Sequence, residues 1–265
     1  MAASSPASIA QLAEMLSAAH TVCFLTGAGM STESGIPDFR GPDGTWTKFN
    51  PDDFTFQKFL TRHETRVVSW QRFLASPAHD AQPNAGHRAL VALERLGKVD
   101  CLVTQNIDGL HLLAGSSPTR VIEIHGTTRW VTCLDCAKRH PAAEILGWLR
   151  DGVDVPRCDD CGGWLKSATI SFGQPMPVEA MAAASAAAQR CDLFVVIGSS
   201  LVVHPAAGLP LQAIRRRVPL AIVNASETAL DRYASMVING QAGELLPALV
   251  DELKRLHPEI CRNGA

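Results

Sequence analysis

Aromatic side chains are scarce in this chain of 265 residues: they make up 6% of it, and tyrosine occurs once, at Tyr233. Charge is scarce as well, 19% of residues against an ordinary ~25%. It nearly cancels, with 24 Lys and Arg against 26 Asp and Glu for a net charge of −2. An electrostatic hold on nucleic acid or on an anionic membrane surface needs surplus Lys and Arg, so no direct nucleic-acid binding and no membrane are expected. No apolar run approaches the ~18–20 residues that span a bilayer. The first twenty residues contain neither Lys nor Arg, which argues against the positive start of a secretory signal and against an Arg-rich transit peptide. The expected location is the cytoplasm. Eight cysteines are too few for a disulfide scaffold and read as metal ligands or core thiols in a reducing compartment. With 46% hydrophobic residues, the chain is globular, and one of this length buries roughly three-quarters of its unfolded surface, enough for a core plus a satellite.

What is present is alternation. Short apolar runs at 21–25, 99–103, 121–124, 193–197 and 220–223 are separated mostly by helical spacing, with helices expected at 6–18, 85–96, 178–190, 205–216 and 243–256. This order predicts an α/β fold with a parallel sheet covered on both faces. Each run ends in small or polar residues, and in such sheets ligands sit beyond the carboxyl ends of the strands. Two stretches, 41–80 and 127–166, break the alternation and read as insertions forming a smaller lobe on a large domain made of 1–40, 81–126 and 167–265.

The first motif is the glycine loop Thr26-Gly27-Ala28-Gly29-Met30-Ser31, followed by an expected helix. A strand entering Gly-x-Gly suits a pyrophosphate at a helix N-terminus, although a third glycine six residues on departs from the dehydrogenase fingerprint. A plain tight turn explains the loop equally. Likewise, Ile36-Pro37-Asp38-Phe39-Arg40 taken alone reads as a surface turn. Cys133-x2-Cys136 and Cys158-x2-Cys161 offer four thiolates for one tetrahedral, structural Zn²⁺ with no open position. Cys23, Cys101 and Cys191 lie in or beside strands as core thiols. In Gln105-Asn106-Ile107-Asp108 the polar residues serve as helix caps or as ligand contacts, and His125 stands out among nine histidines by its place at a strand end. The run Arg215-Arg216-Arg217 is expected to complement a helix C-terminus.

Taken together and in order, Gly27-Ala28-Gly29-x-Ser31-x-x-Ser34-Gly35-Ile36-Pro37-Asp38-Phe39-Arg40, Thr104-Gln105-Asn106-Ile107-Asp108-Gly109-Leu110-His111, His125-Gly126, the two cysteine pairs and Gly198-Ser199-Ser200 strongly resemble the sirtuins. These are NAD-dependent protein-lysine deacylases. The resemblance implies a Rossmann-type large domain and a smaller lobe of zinc ribbon plus helical insertion, with NAD and acyl-lysine meeting in the cleft between them. It further implies that Gly27, Ala28, Gly29, Ser31, Asp38, Phe39 and Arg40 line the phosphates and the nicotinamide ribose. Gln105, Asn106, Ile107 and Asp108 would contact the nicotinamide and its ribose. Gly198, Ser199 and Ser200, then Asn224, Ala225, Ser226 and Ala242, would hold the adenosine. By the same resemblance His125 is the catalytic base, aided by Asn106 and Asp108, and Phe172, Gly173, Val202 and Val203 sandwich the substrate peptide by β-augmentation.

Departures set limits. Gln174 stands where relatives often carry Glu. The Tyr-x-x-Arg pair of succinyl- and malonyl-preferring members is absent, because the only tyrosine is Tyr233. The stretch at 39–46 looks like the branch that includes members favouring long acyl groups, so acetyl is the default and longer acyl stays open. Two competing readings are an NAD-using ADP-ribosyltransferase or glycohydrolase, and a zinc-ribbon binding module without activity. The peptide-binding segments argue against the first, and idle Asn106, Asp108 and His125 against the second.

Overall fold

The computed structural model describes residues 6–39, 41, 44, 47 and 50–259; Arg40, assigned above to the cofactor, lies outside the described residues. Strands and helices are numbered along the chain. Helix α1 (Pro6–Ala18) buries Leu12, Ala13 and Leu16 and leads into β1 (Val22–Thr26), in which every residue is buried. With β2 (Cys101–Thr104), β3 (Val121–Glu123), β7 (Leu193–Ile197), β8 (Leu220–Asn224) and β9 (Met236–Asn239) it forms a six-stranded sheet, ordered β3-β2-β1-β7-β8-β9, with every pairing parallel. Counted along the chain this is the Rossmann order, whose direction of winding reverses between β1 and β7. The central strands are continuous apolar runs because both faces are covered. On one face α1, α4 (Ala85–Arg95) and α9 (Ala242–Leu256) pack Leu16, Leu90 and Leu246 against Phe24 and Val195. On the other, α7 (Val178–Arg190) and α8 (Leu209–Arg215) pack Ala187 and Ala213 against Phe194 and Ile222.

A second, antiparallel sheet of order β5-β4-β6 comprises β4 (Gly126–Cys133), β5 (Arg139–Pro141) and β6 (Leu165–Thr169). It carries α6 (Ala142–Arg150) and meets α2 (Phe56–Thr61) and α3 (His63–Leu74). Trp70 and Phe73 of α3 join Val131, Ile145, Leu146 and Leu165 in one separate core. The helical and cysteine-bearing insertions therefore share their apolar interior. Among the described residues no helix is long and apolar enough to cross a membrane.

The glycine loop departs from expectation. It continues into two short 3-10 turns, Ala28–Met30 and Thr32–Ser34, and not into an α-helix. Gly35, left-handed at φ 83°, ends the second turn, and Pro37 keeps the preceding residue out of the helical region. The third glycine thus terminates the loop and does not help a helix approach phosphate. The 205–216 helix likewise begins as a 3-10 turn, Ala206–Gly208, before α8. At its end Arg215, Arg216 and Arg217 are exposed, Arg217 at φ 61°, and the Arg216 guanidinium donates to the Cys191 carbonyl at 3.3 Å.

The β1 and β7 loops touch at the reversal point. Gly27 N donates to Ile197 O at 3.0 Å and Gly29 N to Gly198 O at 2.8 Å. A Cβ on Gly27 would sit 2.7 Å from Gly198 O. Gly198 is left-handed at φ 62°, and a Cβ there would overlap Met30 N and stand 3.0 Å from Gly29 Cα. Gly198→Ala is expected to lose about 1–3 kcal/mol, read as a lower melting temperature. Gly147→Ala, inside α6 with open space around it, is expected to gain about 0.5–1 kcal/mol. Equal melting temperatures for the two variants would contradict the close-approach account.

Candidate active site

The polar strand ends gather at the carboxyl edge of the large sheet. Gln105 is the hub that ties three of them together. Its backbone N donates to Thr26 O at 3.0 Å, its Nε2 donates to Ser199 Oγ at 2.8 Å, and its carbonyl accepts from His125 Nδ1 at 2.9 Å. A carbonyl only accepts, so Nδ1 carries the proton and Nε2 keeps its lone pair. The His125 pKa lies below the ordinary imidazole value because burial disfavours the cation, against an opposing contribution from the Gln105 carbonyl. His125 is therefore a half-buried, neutral base at neutral pH.

Ser31 organises the other side. Its hydroxyl donates to Asp108 Oδ2 at 2.7 Å, so it accepts from Asn106 Nδ2, which lies 3.0 Å from it and also 3.0 Å from the Gly27 carbonyl. These bonds fix the Asn106 amide with its nitrogen toward the glycine loop and its oxygen turned away. Asp108 Oδ1 accepts from Leu110 N at 2.9 Å, where α5 (Leu110–Ala114) begins; Gly109 takes the N-cap position, so Asp108 braces the turn into the helix, alongside its bond to Ser31, and is not its cap. Burial raises the Asp108 pKa, and its two hydrogen bonds oppose that rise.

Behind this front lies a layer to which the sequence reading assigned no role, although Thr26, Thr104 and His111 stand within its motifs. Thr26 and Thr104 face each other across β1 and β2, Oγ1 to Oγ1 at 2.9 Å, and Thr104 Oγ1 also accepts from Asn106 N at 3.0 Å. Thr26 spends its proton on Thr104, so His111 Nε2, 2.9 Å from it, is the donor. The His111 ring lies 4.9 Å from that of His87. His87 Nδ1 accepts from Asn84 N, and Asn84 Nδ2 holds Met30 O at 2.8 Å. Both rings are buried, and desolvation pushes His87 down to about 4 and His111 down to about 3. The sequence signal for this layer was the Asn84-x-x-His87 capping spacing at the start of α4.

The remaining candidates are placed as follows. Asp38 Oδ1 accepts from Gly41 N at 2.8 Å, and Phe39 is exposed. Gly198 N joins Val223 O at 2.9 Å, which brings Ser199 and Ser200 alongside the Asn224 turn, where Asn224 Nδ2 donates to Ser226 O at 2.7 Å. Ala225 and Ser226 are exposed, and Ala242 is buried at the start of α9. Glu33 Oε2 accepts from Gly243 N at 2.6 Å, joining the glycine-loop segment to the first turn of α9. Phe172 and Val202 are exposed, and the Phe172 carbonyl accepts from Phe56 N at 2.8 Å. The Gln174 side chain turns back to accept from Ser171 N at 3.2 Å.

The thiols of Cys133, Cys136, Cys158 and Cys161 lie within 4.8 Å of one another, with Cys133–Cys161 at 3.5 Å and Cys136–Cys158 at 3.7 Å. Tetrahedral Zn²⁺ with thiolates at ~2.3 Å requires sulfurs about 3.8 Å apart, so the donor set fits that ion.

The profile of the Sir2 family matches residues 27–205. Similar curated proteins include an "NAD-dependent protein deacetylase" of Rhodopseudomonas palustris, 43% identical over 244 residues, covering 91% of this chain and 96% of that protein. Another is an "NAD-dependent protein deacylase 2" of Archaeoglobus fulgidus, 40% identical over 252 residues, with 95% and 98% covered. A solved structure described as "Structural Basis for the Mechanism and Regulation of Sir2 Enzymes" superposes with a TM-score of 0.87 at 40% identity, covering 95% of this chain and 100% of its own. A complex described as "Sir2-p53 peptide-NAD+" gives 0.82 at 36%, covering 91% and 97%.

The buried histidines make acid stability predictable. His87 and His111 stay neutral in the fold down to about 4 and about 3, whereas unfolded histidines protonate near ~6.5. Below that value the unfolded chain binds more protons, so stability falls as pH drops from about 6.5 toward 4. Melting temperature measured across this window should fall steeply, and replacing both rings by Gln should flatten the slope. An unchanged slope in the double variant would refute the assignment.

Proposed function

This chain belongs to the Sir2 family, and from that premise we propose that it removes acyl groups, acetyl by default, from protein lysine at the expense of NAD. The products are nicotinamide, O-acyl-ADP-ribose and free lysine. The observation that carries the reading is His125 at the end of β3, held through Nδ1 by the Gln105 carbonyl so that Nε2 keeps its basic lone pair. In this reaction the bond between nicotinamide nitrogen and the anomeric carbon breaks as the lysine acyl oxygen bonds to that carbon. His125 then takes the proton of a neighbouring ribose hydroxyl as that oxygen bonds to the former carbonyl carbon of the acyl group; the lysine nitrogen leaves with a proton, and one water supplies the oxygen that completes O-acyl-ADP-ribose. Asn106, its amide oriented by Ser31 and Gly27, and the half-buried Asp108 hold the carboxamide for departure. Near-attack positioning of this kind is worth on the order of 7–11 kcal/mol. Phe39 screens the site from water.

In the same reading Gly27, Ala28, Gly29 and Asp38 take the phosphates and ribose, and Ser199, Asn224 and Ala242 the adenosine. Phe172-Gly173 and Val202-Val203 flank the peptide. The four cysteines hold one structural Zn²⁺, which supplies no step. It ties together a lobe of 41–80 and 127–166, a division supported by the shared core of Trp70, Phe73 and Leu165.

His125→Ala should stop deacylation, a loss of about 10²–10⁴-fold, yet keep NAD binding and nicotinamide exchange. Asn106→Ala should depress exchange and deacylation together. Product analysis on acetyl-peptide with NAD reads the outcome, and a folded His125→Ala protein that deacylates normally would sink the proposal. ADP-ribose attached to protein in place of O-acetyl-ADP-ribose would favour the transferase reading. Stripping the metal, or Cys133→Ala, should lower the melting temperature and promote aggregation; undiminished stability and activity in a metal-free preparation counts against the zinc assignment.

A further inference from the structure

Arg66, in the first turn of α3, is a buried cation that the proposed reaction does not use. Its Nη1 donates to Phe59 O at 2.8 Å and to Leu60 O at 3.0 Å. These carbonyls belong to the last turn of α2, which the helix itself leaves unsatisfied, and a positive charge suits that end. The Arg66 Cζ stands 3.9 Å from the centre of the Trp164 ring. A guanidinium over an indole face is attracted by the ring quadrupole, more strongly when both are out of water. Arg66 thereby bolts the end of α2 to Trp164.

Each end of this connection leads somewhere. Trp164 lies three residues after Cys161. Its carbonyl accepts from Leu134 N at 2.9 Å, next to Cys133, and its backbone pairs with Arg157, next to Cys158. The ring is therefore held by main chain from both cysteine pairs. At the opposite end of α2, Phe56 N donates to Phe172 O at 2.8 Å, and Thr55 pairs with Phe172 in a parallel bridge. Six residues of helix make a strut of about 9 Å, and a displacement at one end is carried to the other. The hydrogen bonds that hold Gln105, Asn106 and His125 do not run through α2. Loosening the strut disturbs the Phe172 segment and spares the strand-end crevice.

We propose that Arg66 is a positioning residue for substrate-peptide binding: through α2 it holds the Phe172 backbone in line for a peptide strand, and its anchorage on Trp164 ties that alignment to the four-cysteine site. The proposal rests on the deacylase reading, in which Phe172 and Val202 flank the peptide. Strand addition draws its affinity from main-chain hydrogen bonds, so a small misplacement of the flanking backbone weakens several of them together.

The test uses the full chain loaded with zinc, NAD and an acetyl-lysine peptide. Arg66→Met keeps an unbranched apolar stem and removes the donors and the charge. It should raise the peptide KM on the order of tenfold, with kcat and the KM for NAD within about twofold of wild type. The dissociation constant of a fluorescent acetyl-peptide, read by anisotropy, should rise in parallel. Trp164→Leu should reproduce the rise, and the double variant should be no worse than either single change, because both cut one connection. Trp164→Phe, which keeps an aromatic face, should restore most of the affinity. Trp164→Leu serves where Arg66→Met does not fold. An unchanged peptide KM in folded Arg66→Met overturns the proposal, as does a fall in kcat with no change in peptide binding. Additive effects of the two changes do so too. All three outcomes leave the deacylase reading standing. Failure of the wild-type chain to turn over the acetyl-peptide overturns that reading itself.

Discussion

Backbone contact between the loops after β1 and β7 is the constraint on which the site depends. Two hydrogen bonds, Gly27 N to Ile197 O and Gly29 N to Gly198 O, bring main chain against main chain with no room for a Cβ at Gly27 or Gly198. The approach positions Ser31 to bridge Asn106 and Asp108, and Ser199 to receive Gln105. Gln105 in turn holds His125. A parallel sheet that changes winding direction leaves a crevice at that point. The glycines make the crevice narrow enough for side chains from β2, β3 and β7 to share hydrogen bonds across it.

The polar groups there are arranged so that each proton has one place to go. Ser31 can donate only once, and giving that proton to Asp108 forces Asn106 to be a donor. Thr26 and Thr104 do the same behind them, and His111 completes the chain from the core. Such networks are costly when half satisfied and specific when full. The rear of the network is dry enough to keep His87 and His111 neutral well into acid.

Much of this was legible in the residues. Strands such as Leu193–Ile197 announce themselves because burial on both faces demands an unbroken apolar run. The four zinc-type thiols were readable from spacing alone. The β9 strand was not, being an edge strand of four residues with only two buried. The small sheet was hidden too: β4 is rich in Thr and its alternation is broken by a register shift between Gly126 and Val131. The helix expected after the glycine loop failed at Gly35, whose left-handed turn no spacing rule foresaw. The rear layer was legible only through the Asn84-x-x-His87 spacing. Thr26 and Thr104 become neighbours only once the strand register is known.

The bond from Gly243 N to Glu33 Oε2 joins the start of α9 to the segment that carries Ser31. With adenosine and the reacting ribose placed as proposed, the two ends of the crevice are jaws of one caliper. A molecule spanning both is gauged by its length as well as by its local chemistry. A fragment that engages one jaw, however well it fits, gains nothing from the rigidity of the other, so whole dinucleotides are separated from their halves by the stiffness of the frame.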